Sequence, residues 1–255
     1  MNITKLIDEA VSGIKGVHSS RSRAIDAVAP ILKKPVSVDG KDLLENKLVF
    51  NAKKTELNET IAGVDSGFVG KDMLAFDLVL IRTVGVLFSY GKGKLDNAKY
   101  FPSFYSFPEP ALSNRALERD EFQVSKSLQR LLREVGVARE IIEKHAPAYC
   151  FLDGSIVPQY ADKPRNDSNI LDFYHQLINE FQLLYEAAEK NRTELVACVE
   201  DSRGSRFRSI IQEHIIKNGG KTTALDNCYD TILLDYLLKT GERSMAFSYT
   251  GEDAK

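Results

Sequence analysis

The chain has 255 residues, a formal net charge of −2, and 43% hydrophobic and 27% charged residues. That is an ordinary globular composition, with length for one large domain or one and a half. The near-neutral balance argues against a surface that binds polyanions everywhere and leaves room for a local basic channel.

No apolar run approaches the roughly 18 residues of a membrane helix. The N-terminus, Met1-Asn2-Ile3-Thr4-Lys5-Leu6-Ile7, lacks a basic region followed by an apolar core, so no secretory signal is expected. Cys150, Cys198 and Cys228 are odd in number and far apart, and they read as small buried hydrophobes in a reducing compartment. The four histidines show no metal-site spacing. A cytoplasmic protein without membrane contact is the expectation.

In chain order, Ile3–Ile14 and Arg21–Leu32 predict two short helices, ended by Lys33-Lys34-Pro35. A polar stretch reaches about residue 58. Strands follow at Thr60–Val64 and Leu74–Phe88, with a weaker one near Tyr100–Phe107. Tyr90-Gly91-Lys92-Gly93-Lys94 lacks P-loop spacing and predicts a hairpin turn. Val124, Leu128, Leu131, Val135, Ala138 and Ile142 step by three and four, giving a helix within Ser113–His145 that Pro147 ends. Then come a strand at Ala148–Leu152, a helix over Ile170–Lys190, a strand at Leu195–Val199, and helices near Phe207–Lys217 and Tyr229–Leu238. Three strands followed by helix–strand alternation predict an α/β protein with a mixed sheet flanked by helices, in the order of an RNase H-like fold.

Two segments carry the chemistry. In Ile61-Ala62-Gly63-Val64-Asp65-Ser66-Gly67 and Tyr149-Cys150-Phe151-Leu152-Asp153-Gly154-Ser155, an apolar β-favouring run meets an Asp, and Gly or Ser follows. Each Asp is expected to close its strand, either as a simple Asx-turn or as a fixed carboxylate at a sheet edge. Two such carboxylates from different strands can hold a divalent cation, which takes hard oxygen ligands. A third comes from the intervening helix. At 100° per residue Glu134 lies roughly 70° from the centre of the apolar face, at its border, and Glu140 about 170° away in solvent. Glu134 is therefore the candidate third ligand, with a border Glu flanking the apolar stripe as the alternative. Asp230 opens the last helix; a first-turn acid is the plainer reading and a fourth ligand the other. Arg203, Arg206 and Arg208 sit in a Gly/Ser loop after a strand, either as a solvated loop or as a grip for phosphates.

At these residues the chain resembles the NurA nucleases, archaeal and bacterial DNA-end nucleases partnered with the hexameric ATPase HerA. The matching pieces are Val64-Asp65-Ser66-Gly67, Phe151-Leu152-Asp153-Gly154-Ser155, Glu134 on the helix before that strand, Cys198-Val199-Glu200-Asp201-Ser202-Arg203, and Asp230-Thr231 through Gly241-Glu242-Arg243-Ser244. The resemblance runs from about Thr60 to Phe247. It implies an RNase H-like nuclease domain over 59–255 behind an N-terminal helical extension over 1–58. It also implies Mn²⁺-dependent (or Mg²⁺-dependent) cleavage of single-stranded and duplex-end DNA, as a 5′–3′ exonuclease and single-strand endonuclease. A toroidal homodimer and a role in double-strand-break end resection beside a HerA-type ATPase are further implications.

There are two departures. Glu200 stands where the family often has Lys. Family members also continue past the Gly-Glu-Arg segment into a region with a catalytic-site Tyr and His, so a C-terminally shortened form is expected here. The alternative function is a catalytically incomplete DNA-end-binding or ATPase-docking subunit of the same fold. A small-molecule α/β enzyme is disfavoured, because no dinucleotide glycine fingerprint, P-loop or nucleophile elbow is present.

Overall fold

A computed structural model describes residues 3–31, 35–36, 43–73, 76–113, 117–159, 162–200, 202–218, 220–226 and 228–248. Leu32, Leu74 and Asp201 of the segments above lie outside them. The chain divides into two compact units, residues 55–200 and residues 1–54 with 201–255.

The 55–200 unit is built on a sheet. Strands β2 (Thr60–Asp72), β3 (Asp77–Gly91) and β4 (Lys94–Phe101) form antiparallel hairpins. The Gly91–Lys94 closure leaves Lys92 and Gly93, both at positive φ, as the hairpin turn that the sequence predicts. Strand β5 (Glu109–Ser113), which carries no clear sequence signal, pairs with the start of β3. Helix α2 (Arg119–His145) crosses to β6 (Tyr149–Asp153), which runs parallel to β2. Helix α3 (Leu171–Asn191) crosses to β7 (Glu194–Cys198), parallel to β6. The resulting order β4-β3-β2-β6-β7 is the expected RNase H-like mixed sheet. Ala62, Val64, Leu87, Cys150 and Leu152 pack from the sheet onto Val135, Ala138, Ile141 and Ile142 of α2 and Leu177, Phe181 and Leu184 of α3. Among the described residues of the 55–200 unit, no helix packs on the other face of the sheet.

β2 departs from expectation. It does not stop at Val64: β3 offers partners out to Asp72↔Asp77, so Asp65-Ser66-Gly67 lie within a strand. What stops at Val64 is the partner on its other side, β6, whose last pair with β2 is Val64↔Leu152.

The second unit has its own core of Val28, Leu48, Phe207, Ile210, Ile211, Leu225, Leu233 and Met245. The two short helices expected at the N-terminus are one helix, α1 (Ile3–Val28). Within it the Ser19 hydroxyl donates to the Gly16 carbonyl at 2.9 Å. Helices α4 (Arg206–Lys217) and α5 (Asp230–Leu237) follow, and β1 (Val49–Asn51) pairs with β8 (Glu242–Ser244), where Arg243 donates to Glu45 at 2.7 Å. Cys150 and Cys228 are buried as expected, but Cys198 is exposed, because it ends edge strand β7. Among the described residues, no helix is long and apolar enough to cross a membrane.

Gly85 lets α2 approach β3, since a Cβ there would lie 2.1 Å from the buried Ile141 Cδ1. Gly85→Ala should cost about 1–3 kcal/mol of stability by overpacking. Adding Ile141→Val, which removes that methyl, should recover most of the loss; urea unfolding of both single variants and the double variant measures it.

Candidate active site

Because β6 leaves β2 after Val64↔Leu152, Asp65 and Asp153 sit side by side, one residue beyond the last pair. Adjacent strands are about 4.8 Å apart, so the two backbones hold these carboxylates as neighbours. Both residues are exposed. Gly154, at φ +89°, turns the chain away after Asp153, and its N–H donates to the Cys198 carbonyl at 2.8 Å.

Glu134 arrives from α2 and is 2% exposed. Its Oε2 accepts hydrogen bonds from Ser66 Oγ at 2.6 Å and from the Arg130 guanidinium at 2.8 Å. Burial pushes the Glu134 carboxyl above its usual range. The Ser66 bond and the Arg130 charge pull it back, and the like charges of Asp65 and Asp153 push it up again. Asp65 and Asp153 thus act electrostatically on Glu134. Glu140, by contrast, is half exposed and paired with Lys144 at 2.8 Å.

The donor set is hard oxygen, the chemistry a divalent cation takes. Among the described residues, no group of three or more His, Cys, Asp and Glu side chains is placed to hold a metal ion. On the open face of the sheet, Asp65 and Asp153 line a cleft of about 880 Å³ with Arg82, Val84, Phe151 and Cys198.

The remaining sequence candidates lie in the other unit. Both oxygens of Asp230 accept backbone N–H bonds from Phe207 and Arg208, at 2.9 and 2.8 Å, so this carboxylate caps α4. Arg206 and Arg208 lie in the first turn of α4 and not in the expected loop, both half buried, with Arg208 donating to the Cys228 carbonyl at 3.1 Å; Arg203, before the helix, is exposed. Glu200, in the 55–200 unit, is exposed.

Sequence reasoning passed over Ser66, Arg130, Arg82 and Asp162. Arg130 faces Glu134 one turn away, an i,i+4 spacing that signals it in principle. Burial raises the Asp162 carboxyl, and the Arg130 charge offsets only part of that. Arg82 is a guanidinium inside the apolar run Leu78–Val84, an interruption that marks it once its strand is known.

The chain was compared with known proteins. The NurA domain model matches residues 59–253. The crystal structure of the NurA nuclease from Sulfolobus solfataricus is similar, with TM-score 0.55 and 14% identity over 93% of this chain and 68% of that one. At that identity the likeness is one of fold. A structure of NurA bound to dAMP and manganese (TM-score 0.39, 11% identity) covers 85% of this chain and 47% of its own. Another of NurA with manganese (TM-score 0.39, 11% identity) covers 96% and 60%. The chain therefore spans about half to two thirds of the length of these proteins. No curated protein sequence matches it.

A carboxyl raised by burial costs stability while charged, and the cost disappears once it binds a proton. In the presence of a chelator, the wild-type chain should therefore gain stability relative to Glu134→Gln as the pH falls through the range just above 4.5, the ordinary Glu value. Thermal unfolding of both chains across that range checks the sign.

Proposed function

The chain belongs to the NurA family, and from that premise and the grouping of Asp65, Glu134 and Asp153 we propose that it is a metal-dependent DNA nuclease. One observation carries the proposal. A Glu that is 2% exposed bonds Ser66 on the helix side of β2, and its carboxyl feels the charges of Asp65 and Asp153, which line one cleft. Fold requirements alone do not explain a buried acid with two acidic neighbours, whereas cation binding does.

A divalent cation there would supply Lewis acidity to the phosphoryl oxygen and lower the pKa of a water nucleophile. Asp65 and Asp153 would hold it from the sheet, and Glu134, fixed beforehand by Ser66 and Arg130, would hold it from the helix. Arg82 gives the cleft wall a guanidinium for substrate phosphate.

Manganese is the first cation to test, given the family. A homodimer, a HerA-type ATPase partner, 5′–3′ polarity with single-strand endonuclease activity, and work in end resection belong to the proposal on family grounds. So does the assignment of 59–255 as the nuclease domain.

The test is Mn²⁺-dependent release of nucleotides from labelled single-stranded DNA. Asp65→Ala and Asp153→Ala should each lower the rate by on the order of 100-fold or more. Stability in chelator should be unchanged or raised, because each removes a repelling charge. Full activity in both variants overturns the site. A wild-type chain that binds DNA ends without cutting them favours the docking-subunit reading.

The arginine loop gives a separable outcome. Arg203→Ala should weaken DNA binding and reduce its salt dependence by about one phosphate contact. Arg208→Ala should lower stability by about 1 kcal/mol, since it deletes the bond to the Cys228 carbonyl. Binding titrated against salt, together with thermal unfolding, distinguishes the two.

A further inference from the structure

Thr83 carries a hydroxyl that packing does not require. It alternates with Ile81 and Gly85 on the face of β3 that meets α2. Its Oγ1 is buried and has no hydrogen-bond partner among the described residues. A buried hydroxyl without a partner lowers stability, and Val would fill the same space without that cost. Such an orphan calls for a role outside packing. Thr83 also lines a cavity of about 790 Å³ with Ile81, Leu132, Gly136 and Val137, so its side chain has room to turn about χ1.

The hydroxyl opposite belongs to Ser66, the register partner of Thr83. At the far end of the same ladder, the register partners Thr60 and Ser89 bring their hydroxyls to 3.1 Å, so a Thr–Ser pair can close across this sheet. Ser66 is spent elsewhere. Its hydroxyl donates to Glu134 Oε2 at 2.6 Å, and its N–H donates to Asp65 Oδ1 at 2.6 Å. That hydroxyl lies on the helix side of β2, whereas the Asp65 side chain lies on the cleft side with Asp153. For Glu134 to share a cation with both Asp residues, its carboxylate has to give up Ser66 and cross to them. The way across is the gap beside β2, since β6 pairs with it no further than Val64↔Leu152.

We propose that the Ser66 hydroxyl has two positions: on Glu134 when that acid sits on the helix side, and on Thr83 when the acid turns through the gap to the Asp residues. This rests on the nuclease reading above and makes Thr83 a positioning residue for its metal site. If Ser66 merely lost Glu134, its hydroxyl and that of Thr83 would both be left unpaired. Bonding to each other satisfies both, so the acid is released at little cost. Arg130 sits one turn from Glu134 on the same helix and stays beside the acid in either position.

The test uses the full chain, in chelator and with Mn²⁺. Its two readouts are thermal unfolding and Mn²⁺ affinity, the latter from the electron paramagnetic resonance of the free ion. In chelator, Thr83→Val should raise Tm by about 2–4 °C, because it deletes an unpartnered hydroxyl. The same variant should bind Mn²⁺ roughly tenfold more weakly, since Ser66 then has nowhere to turn. Thr83→Ser, which keeps the hydroxyl, should bind Mn²⁺ as the wild type does. In a Ser66→Ala background, Thr83→Val should cost no further affinity. Thr83→Ala should show the same affinity loss and keeps the idea testable where the Val variant folds poorly.

Unchanged Mn²⁺ affinity in Thr83→Val and Thr83→Ala, or a full loss that persists without the Ser66 hydroxyl, would overturn the two-position hydroxyl. A fall in Tm for Thr83→Val in chelator would do so as well, because the hydroxyl would then be partnered already. A wild-type chain that binds no Mn²⁺ removes both this proposal and the nuclease reading. Mn²⁺-dependent cleavage with Thr83 immaterial to affinity removes this proposal alone.

Discussion

The parallel pairing of β6 with β2 governs the site. It begins at Ile61↔Tyr149 and ends at Val64↔Leu152, while β2 continues along β3 to Asp72. Ending one partner while the other continues opens a notch in the sheet, and the residues at the notch are Asp65 and Asp153. The same ladder sets which side chains face the helices. Ala62, Val64, Cys150 and Leu152 fill the core under α2 and α3, which fixes the height at which Glu134 meets Ser66. A slip of one residue by β6 would turn Asp153 toward the helices, while β3 would keep Asp65 on the other face.

Glu134 shows how such a site is tolerated. A buried carboxylate without partners is expensive, and this one also feels two like charges. The Ser66 hydroxyl and the Arg130 guanidinium offset the expense without removing it, so the acid is fixed in place yet remains electrostatically unsatisfied. That is the state in which a cation gains most by arriving. Removing one partner of such an arrangement exposes its cost more clearly than removing the acid itself.

The second unit spends comparable residues on folding. Asp230 is an acid followed by Thr at a helix start, yet its oxygens are both taken by the backbone of α4. Arg208, in the first turn of α4, donates to a backbone carbonyl. Acids and arginines of similar sequence context thus divide between architecture and chemistry according to what the fold places opposite them. The sheet face that carries Asp65 and Asp153 is left uncovered by the described elements of the 55–200 unit.

What the sequence determined alone is local. Helical phase brings Glu134 to the border of a buried face and turns Glu140 outward, because a side chain's direction on a helix follows from its position in the turn. The two-residue turn at Lys92-Gly93 and the strand end at Asp153-Gly154 are likewise legible, since glycine marks where the backbone must take positive φ. The long N-terminal helix was read as two, and Asp65 as a strand end, because Gly and Ser weaken a local pattern whether or not a partner sustains it. Only the tertiary structure decided that β3 carries β2 past Asp65, that β5 exists, that Arg130 and Ser66 share one oxygen of Glu134, and that residues 1–54 join 201–255. Each of these depends on what another segment offers across a gap in the chain, and pairing between distant segments is information that no single window of sequence holds.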